Sequence, residues 1–164
     1  MEKKPYIQSI YICPNAGLPM ERHEKVKVLA GVGIEGDRYA LRLGAFSKSN
    51  PPKIRDITLI SMMGIETAND WLSLNKLVEF DVSETRRNIV MENLSPEELN
   101  ALVGKIFFLG GLKFKGIELC DPCERPSKLA HKKNFQIAYQ NIGGIRAQVM
   151  VDGYLQVGEI MINS

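Results

Sequence analysis

Two cysteines three positions apart are the first candidates for chemistry in this sequence. The run Cys120-Asp121-Pro122-Cys123 directly follows an apolar stretch that predicts a β-strand, so the pair is expected where a loop begins. A loop anchored on a strand holds a side chain firmly and leaves it accessible to a ligand. The reactive form of cysteine is the thiolate, which is both a nucleophile and a soft metal ligand. The sequence therefore predicts a reactive thiolate in this loop.

The spacing of these cysteines is compatible with a redox pair, with half of a zinc site, or with one essential thiol beside an accessory one. A structural zinc site usually has a second ligand pair at similar spacing, and here only His23, His131 and the distant Cys13 remain. A thioredoxin-like pair stands at the start of a helix after a βαβ unit, whereas this pair follows a strand. Two buried packing cysteines are a further alternative, although the neighbouring residues are polar.

Two adjacent arginines followed by an asparagine form the second candidate group. Arg86, Arg87 and Asn88 lie in a segment whose β-type residues predict a strand. A guanidinium binds phosphate through paired hydrogen bonds, and an amide offers a donor and an acceptor to a heterocycle. Because successive side chains on a strand point to opposite faces, only one of the two arginines is expected to face a given pocket. The alternative is one arginine in a salt bridge and the other in solvent.

The third candidate segment is the glycine-rich run from Gly33 to Tyr39. It lacks the lysine and hydroxyl residue of a phosphate loop and does not match the dinucleotide-binding fingerprint. Its glycines allow backbone amides to approach a ligand closely, with Asp37 as a hydrogen-bond acceptor. Asp37 could equally close its own turn.

Short β-type runs separated by turn residues must position these groups. A long loop rich in glycine, serine and proline is expected over residues 31–52. Hairpins are predicted around Gly110-Gly111 and around Asp152-Gly153. The predicted strands cover Tyr6 to Cys13, Lys25 to Leu29, Ile57 to Ile60, Ile106 to Phe108, Leu112 to Leu119, Arg146 to Val151 and Tyr154 to Val157.

Two helices have clear start signals. Ser61 can cap a helix whose apolar residues recur at helical spacing up to Leu74 or Asn75. Ser95 followed by proline and by a glutamate three positions later forms a capping box, which predicts a helix from Pro96 to Val103. Many short strands with few short helices favour a mainly β fold, a closed or nearly closed barrel with helices on its rim.

Composition limits the classes of function. The chain has 164 residues, which suits one domain, and its 21 basic and 19 acidic side chains leave a net charge of +2. This balance gives no strong case for a nucleic acid or a membrane as partner. No signal peptide or membrane span is recognised, so a cytoplasmic location is expected. The three cysteines are then expected to be reduced thiols.

In chain order, the segments GIEGDRY, RDITLIS, TRRNIV, LNALVGKIFFLGGLKF and CDPC resemble the successive motifs of the MOSC domain. This family is related to the C-terminal domain of molybdenum cofactor sulfurase. The specificity of the resemblance lies in the order and spacing of the motifs. It implies a MOSC-type β-barrel with a few short helices, forming a single domain over residues 1–164 with core motifs at about 25–162.

The resemblance also implies a cofactor and a set of site residues. The cofactor is the molybdenum cofactor (molybdopterin), a pterin that bears a phosphate and a dithiolene-bound metal. Cys123 matches the family's cysteine, the sulfur carrier or metal ligand, and is the expected catalytic and metal-binding residue. Arg86 and Asn88 match the strand that faces the cofactor, with Arg87 beside them, and Asp37 matches the acidic residue of the early loop. No pyridoxal phosphate site is expected within this chain.

These expectations lead to a hypothesis and two alternatives. The chain would bind the molybdenum cofactor, or a sulfurated precursor, and act as a carrier or as a small metal-sulfur enzyme. As an enzyme, it would transfer sulfur received from a separate cysteine desulfurase, or it would reduce N-oxygenated compounds with electrons from a separate protein. The first alternative is a metal-free redox or detoxification module in which Cys120 and Cys123 form a resolving pair. The second is a non-catalytic binding barrel with buried cysteines.

Overall fold

In the computed structural model, residues 3–163 are described, and they form a strand-rich fold. Eleven strands occur within this range. They are β1 (Tyr6–Ile12), β2 (Glu21–His23), β3 (Lys25–Leu29), β4 (Gly33–Ile34), β5 (Ile57–Ser61), β6 (Ile89–Glu92), β7 (Ile106–Leu109), β8 (Leu112–Leu119), β9 (Ile145–Val149), β10 (Gly153–Gln156) and β11 (Met161–Asn163).

The helices are short. They are α1 (Met62–Leu74), α2 (Pro96–Asn100), α3 (Arg125–Ala130) and α4 (Phe135–Ala138), with a 3-10 turn at Val82–Thr85. Helices α1 and α2 begin at the caps predicted from the sequence, whereas α3 and α4 were not predicted and have no side-chain cap. The Ser61 hydroxyl accepts a hydrogen bond from the Gly64 amide at 3.1 Å, which caps α1. The capping box of Ser95 is present, but α2 ends at Asn100 rather than at Val103. None of the helices described has the length and apolar character needed to cross a bilayer.

The strands form one large sheet and one small one. The eight-stranded sheet has the order β11-β7-β8-β9-β5-β6-β1-β2, and the three-stranded sheet has the order β10-β3-β4. The large sheet curls until β1 meets the segment that precedes β11. Two hydrogen bonds join them: the Ile7 amide donates to the Glu159 carbonyl at 2.9 Å, and the Gly158 amide donates to the Ile7 carbonyl at 2.8 Å. The prediction of a mainly β, barrel-like fold with a few short helices is therefore confirmed.

Two apolar cores stabilise this arrangement. The larger one fills the curl of the sheet with fully buried side chains such as Ile10, Leu59 and Phe114. The smaller one lies under α1 and α4, where the rings of Phe135 and Tyr139 stack with centroids 4.3 Å apart. Each buried side chain of this size contributes about 1.5–3 kcal/mol through loss of water contact. The smaller core supports the loop that follows β8.

The predicted hairpin around Asp152-Gly153 is wrong, since the two flanking strands belong to different sheets. β9 pairs with β5 and β8, whereas β10 pairs with β3. The Asp152 carboxylate accepts a hydrogen bond from the Ala30 amide at 2.7 Å, and the Gly31 amide donates to the Val149 carbonyl at 2.9 Å. The turn residues therefore carry the chain from one sheet to the other, which their local turn preference could not distinguish from a hairpin.

The predicted strand at Arg86 to Asn88 is also wrong at its beginning. A 3-10 turn occupies Val82–Thr85, Arg86 adopts a left-handed conformation with φ of 65°, and β6 begins only at Ile89. The Glu84 side chain accepts a hydrogen bond from the Asp81 amide at 2.7 Å, and the Glu84 amide donates to the Asp81 carbonyl. These two hydrogen bonds favour a helical turn over a strand before β6.

A pH-dependent stability is expected from Asp56, a buried carboxyl group next to β5. Burial raises its pKa, and the hydrogen bond from the Val149 amide at 3.0 Å opposes this rise. Because the pKa is higher in the folded chain, Asp56 stabilises the fold below its unfolded pKa of about 3.9. This contribution is lost as the pH rises through the folded pKa. The variant Asp56→Asn should therefore gain stability relative to wild type as the pH rises from about 4 to 7.

The measurement is urea unfolding of both proteins at matched ionic strength between pH 4 and pH 7. Taking the difference in free energy of unfolding between variant and wild type cancels the contributions of all other groups that titrate in the same way in both proteins. A difference that stays level, or that falls with increasing pH, would contradict the assignment.

Candidate functional site

A cavity of about 280 Å³ opens where β5, β8 and β9 lie side by side. Thr58, Glu118 and Arg146 form part of its floor. Arg146 lies opposite Thr58 across one strand pair and opposite Glu118 across the other, so all three side chains share one face of the sheet. The Arg146 guanidinium donates to the Glu118 carboxylate at 2.6 Å. The loops after β4 and after β8 complete the walls.

Positive charge is concentrated in this cavity, although the whole chain is close to neutral. Seven cationic side chains line it, against the two carboxylates of Glu118 and Asp121. Guanidinium groups gathered around a cleft raise the local concentration of anions and bind oxyanions through charge-assisted hydrogen bonds. The seven are Arg38, Lys53, Arg55, Arg86, Arg87, Arg125 and Arg146.

Both cysteines of the loop after β8 line the cavity, but they differ in exposure. Cys123 is an exposed free thiol, whereas Cys120 is a free thiol that is only 3% exposed. The Cys120 amide donates to the Gly144 carbonyl at 2.8 Å, which ties the loop to the segment before β9. Gly143 leaves room for this packing, because a Cβ atom there would lie 2.5 Å from the Cys120 carbonyl oxygen. Cys123 is thus the accessible thiol on an anchored loop.

The side chains of residues 3–163 do not by themselves form a metal site. Within residues 3–163, no three histidine, cysteine, aspartate or glutamate side chains come together in a way that could hold a metal ion. A metal bound at Cys123 would therefore need to bring most of its ligands with it.

Arg86 and Arg87 both line the cavity, whereas a strand would have pointed their side chains to opposite faces. The left-handed conformation of Arg86 breaks the alternation that a strand would impose. Arg86 donates through Nη1 to the Leu18 carbonyl, and Arg87 donates through Nε to the Gly143 carbonyl at 2.8 Å. Burial and the nearby Arg38 lower the pKa of Arg86.

Asp37 lies behind the cavity wall rather than in the cavity. Its side chain is fully buried and accepts hydrogen bonds from the Cys13 amide at 3.0 Å and the Tyr39 amide at 3.3 Å. It also forms an ion pair of 3.1 Å with Arg38, which does line the cavity. Arg38 in turn donates to the Arg86 carbonyl at 3.3 Å. Asp37 therefore positions cationic residues of the site.

The Asn88 side chain also forms its hydrogen bonds inside the protein. It is 3% exposed, and its side-chain carbonyl accepts from the Thr58 amide at 3.1 Å and from the Thr58 hydroxyl at 3.2 Å. Its amide nitrogen donates to the Tyr11 carbonyl at 3.0 Å. These contacts satisfy most of its hydrogen-bonding capacity and place it beneath Thr58, so the structure assigns it a positioning role behind the cavity floor.

Sequence reasoning missed five of the cations. Arg55 opens the segment RDITLIS, and Arg146 alternates with buried residues on β9, so both carried a usable signal. The others come from stretches that are distant in sequence and meet only in the fold. The five are Arg38, Lys53, Arg55, Arg125 and Arg146.

The fold and the cavity define a class, namely barrel-like β proteins with a cation-lined cavity and an accessible cysteine at the end of a strand. The family model of the MOSC domain matches residues 55–161, more than half of the chain, and the chain belongs to this family. MOSC domains are associated with molybdenum cofactor binding. No curated protein matches the sequence.

Several solved structures share the fold of this chain. The YuaD protein from Bacillus subtilis superposes with a TM-score of 0.74 at 18% identity, covering 97% of this chain and 94% of that one. YiiM from Geobacillus stearothermophilus has a TM-score of 0.66 at 14% identity, covering 98% and 75%. YiiM from Escherichia coli has a TM-score of 0.67 at 15% identity, covering 99% and 71%.

Proposed function

We propose that this chain binds the molybdenum cofactor in the cation-lined cavity, with Cys123 as the reactive thiolate. The observation that carries the proposal is the meeting of seven cations and one accessible free thiol in a single cavity. The cofactor has a phosphate, which suits the guanidinium groups, and a soft metal centre, which suits a thiolate. Its dithiolene would supply metal ligands in addition to the Cys123 thiolate.

Unused donor groups support the binding of anions in this cavity. The Nε and Nη1 atoms of Arg55 are buried and have no hydrogen-bond partner within the part of the chain that the structure describes. An unsatisfied buried donor costs about 1–3 kcal/mol, and more when it is charged, so a bound anion would relieve this cost. The aromatic side chains of Tyr39 and Phe46 also line the cavity and offer apolar surface to a pterin.

Arg86, Arg87 and Arg125 would hold the phosphate, assisted by Arg38. Each charge-assisted hydrogen bond contributes about 1.5–3 kcal/mol. Asp37 keeps Arg38 in place, and the Gly143 carbonyl orients Arg87. When bound, the cofactor would supply a redox-active metal for the reduction of an N-oxygenated compound, which takes two electrons from a separate electron-transfer protein and two protons from solvent and releases the oxygen as water.

Cys123 can also act as a sulfur carrier. Its thiolate would attack the outer sulfur of a persulfide on a separate donor such as a cysteine desulfurase. A new sulfur–sulfur bond then forms on Cys123, the bond on the donor breaks, and the donor leaves as a thiolate, with no net oxidation. Both roles require a thiol that another protein or a ligand can reach, which agrees with the exposure of Cys123.

The test is retention of molybdenum and pterin after anaerobic mixing with released cofactor and desalting. Wild type should retain close to one of each per chain. Arg86→Met removes a guanidinium from the cavity and should weaken binding roughly tenfold to hundredfold. Arg22→Met is the matched control, because Arg22 is an exposed arginine on β2 outside the cavity lining.

Equal retention by Arg86→Met and Arg22→Met would show that Arg86 does not hold the cofactor. Absence of retention by well-folded wild type would refute the proposal and leave thiol chemistry without a metal. In that case a disulfide between Cys120 and Cys123 after mild oxidation, detected by mass spectrometry, would support the redox alternative.

A further inference from the structure

The cations of the cavity form two separate groups. Arg86 donates to the Leu18 carbonyl, Arg38 donates to the Arg86 carbonyl, and the Arg125 guanidinium lies beside Gly17, so these three cations surround the loop after β1. Arg55 instead stands just before β5, with its guanidinium against the Phe46 ring, next to the floor strands. One cavity therefore contains an Arg55 group, at the floor strands, and an Arg86 group, at the loops.

The positive charge exceeds what one phosphate can neutralise. Arg38 is paired with Asp37, and Arg146 is paired with Glu118. Among the described residues, the other five cations have no salt bridge, and the only other lining carboxylate is Asp121. A phosphate monoester supplies about two negative charges at neutral pH. With the proposed Cys123 thiolate counted as well, about one positive charge remains for a second anion.

Arg55 is held in position but its donors are not used. Its guanidinium carbon lies 5.3 Å from the centroid of the Phe46 ring, which covers one face of the group. The neighbouring carboxylate of Glu118 accepts from Arg146, and Nε and Nη1 of Arg55 have no protein acceptor among residues 3–163. A guanidinium that is held in place in a cavity and has unused donors is suited to bind an oxyanion.

We propose that Arg55 is the centre of a second anion subsite, which binds a carboxylate or phosphate group of the substrate while the Arg86 group holds the phosphate of the cofactor. This inference rests on the proposed function, since it assigns the substrate class of the same cavity. The substrate is accordingly a small anionic molecule. The competing source of the anion is another anionic group of the cofactor itself, and the experiment separates the two.

The experiment measures thermal unfolding with inorganic phosphate as the probe, at constant ionic strength balanced with sodium chloride. In cofactor-loaded wild type, phosphate at ten times its dissociation constant should raise the melting temperature by about 3–6 °C. Loaded Arg55→Met should show no such rise, whereas loaded Arg22→Met should behave as wild type. Cofactor retention is measured on the same samples.

Equilibrium dialysis of the cofactor-free proteins provides the second arm. Wild type should bind two phosphates per chain, and Arg55→Met should bind one. If loaded wild type shows no phosphate effect while the free protein binds two, the cofactor occupies both groups and the inference is overturned. One phosphate in free wild type would also overturn it, and this result needs no variant to fold. Failure of the proposed function would appear separately, as absence of cofactor retention.

Discussion

Replacement of Cys123 by alanine is expected to abolish molybdenum retention while the chain stays folded. Cys123 is exposed in the loop after β8, so the loss of its side chain leaves no buried cavity. It is also the only exposed thiol among the described residues, because Cys13 and Cys120 are buried. Molybdenum per chain should fall at least a hundredfold after desalting, measured by elemental mass spectrometry.

Two comparisons sharpen this prediction. Pterin and molybdenum should be lost together from Cys123→Ala, because the dithiolene of the cofactor binds the metal to the pterin. Cys120→Ala should keep its molybdenum, although removal of a buried thiol should lower its stability by about 1 kcal/mol. Wild-type molybdenum in Cys123→Ala would mean that this thiolate is not a metal ligand. Equal loss in both variants would instead favour a pair of cooperating cysteines.

Replacement of Asp37 by alanine is expected to lower the free energy of unfolding by about 3–5 kcal/mol. The substitution leaves the buried guanidinium of Arg38 without its ion-pair partner, and it leaves the amides of Cys13 and Tyr39 without an acceptor. The measurement is urea unfolding followed by circular dichroism. Asp70→Ala, an exposed aspartate on α1, is the matched control and should change the stability by less than 0.5 kcal/mol or so.

The milder variant Asp37→Asn separates positioning from folding. Asparagine keeps one acceptor oxygen but not the negative charge, so the fold should survive while Arg38 is held less firmly. Cofactor retention by this variant should fall below that of wild type, although Asp37 does not touch the cavity. Full retention by Asp37→Asn, or a loss of less than about 1 kcal/mol in Asp37→Ala, would contradict a positioning role.

The sequence by itself determined most of the strands around the site and the starts of α1 and α2, but not α3 and α4. Period-two alternation predicted β3 at Lys25–Leu29, the glycine pair predicted the hairpin of β7 and β8, and Ser61 predicted the start of α1. These signals are local, since each depends on residues within a few positions of one another. The order of the motifs identified the family, and the loop of Cys123 was expected to follow a strand, as it does.

The tertiary structure decided which of the candidate residues meet. Arg86 and Arg87 share a cavity because a 3-10 turn and a left-handed residue replace the expected strand. Arg55 and Arg146 join them only because β5 pairs with β9. Asn88 was expected to face the ligand, yet its hydrogen bonds lie inside the protein.

The physical reason is the range of the interactions involved. Alternation and capping act between near neighbours, whereas the surroundings of a charged group depend on which distant strands pair and where the sheet curls. A buried carboxylate such as Asp37 must find donors, and these come from segments that only the folded chain brings to it. The residue types that could perform chemistry were therefore readable from the sequence. Only the folded structure shows which of these residues line the cavity and which support it from behind.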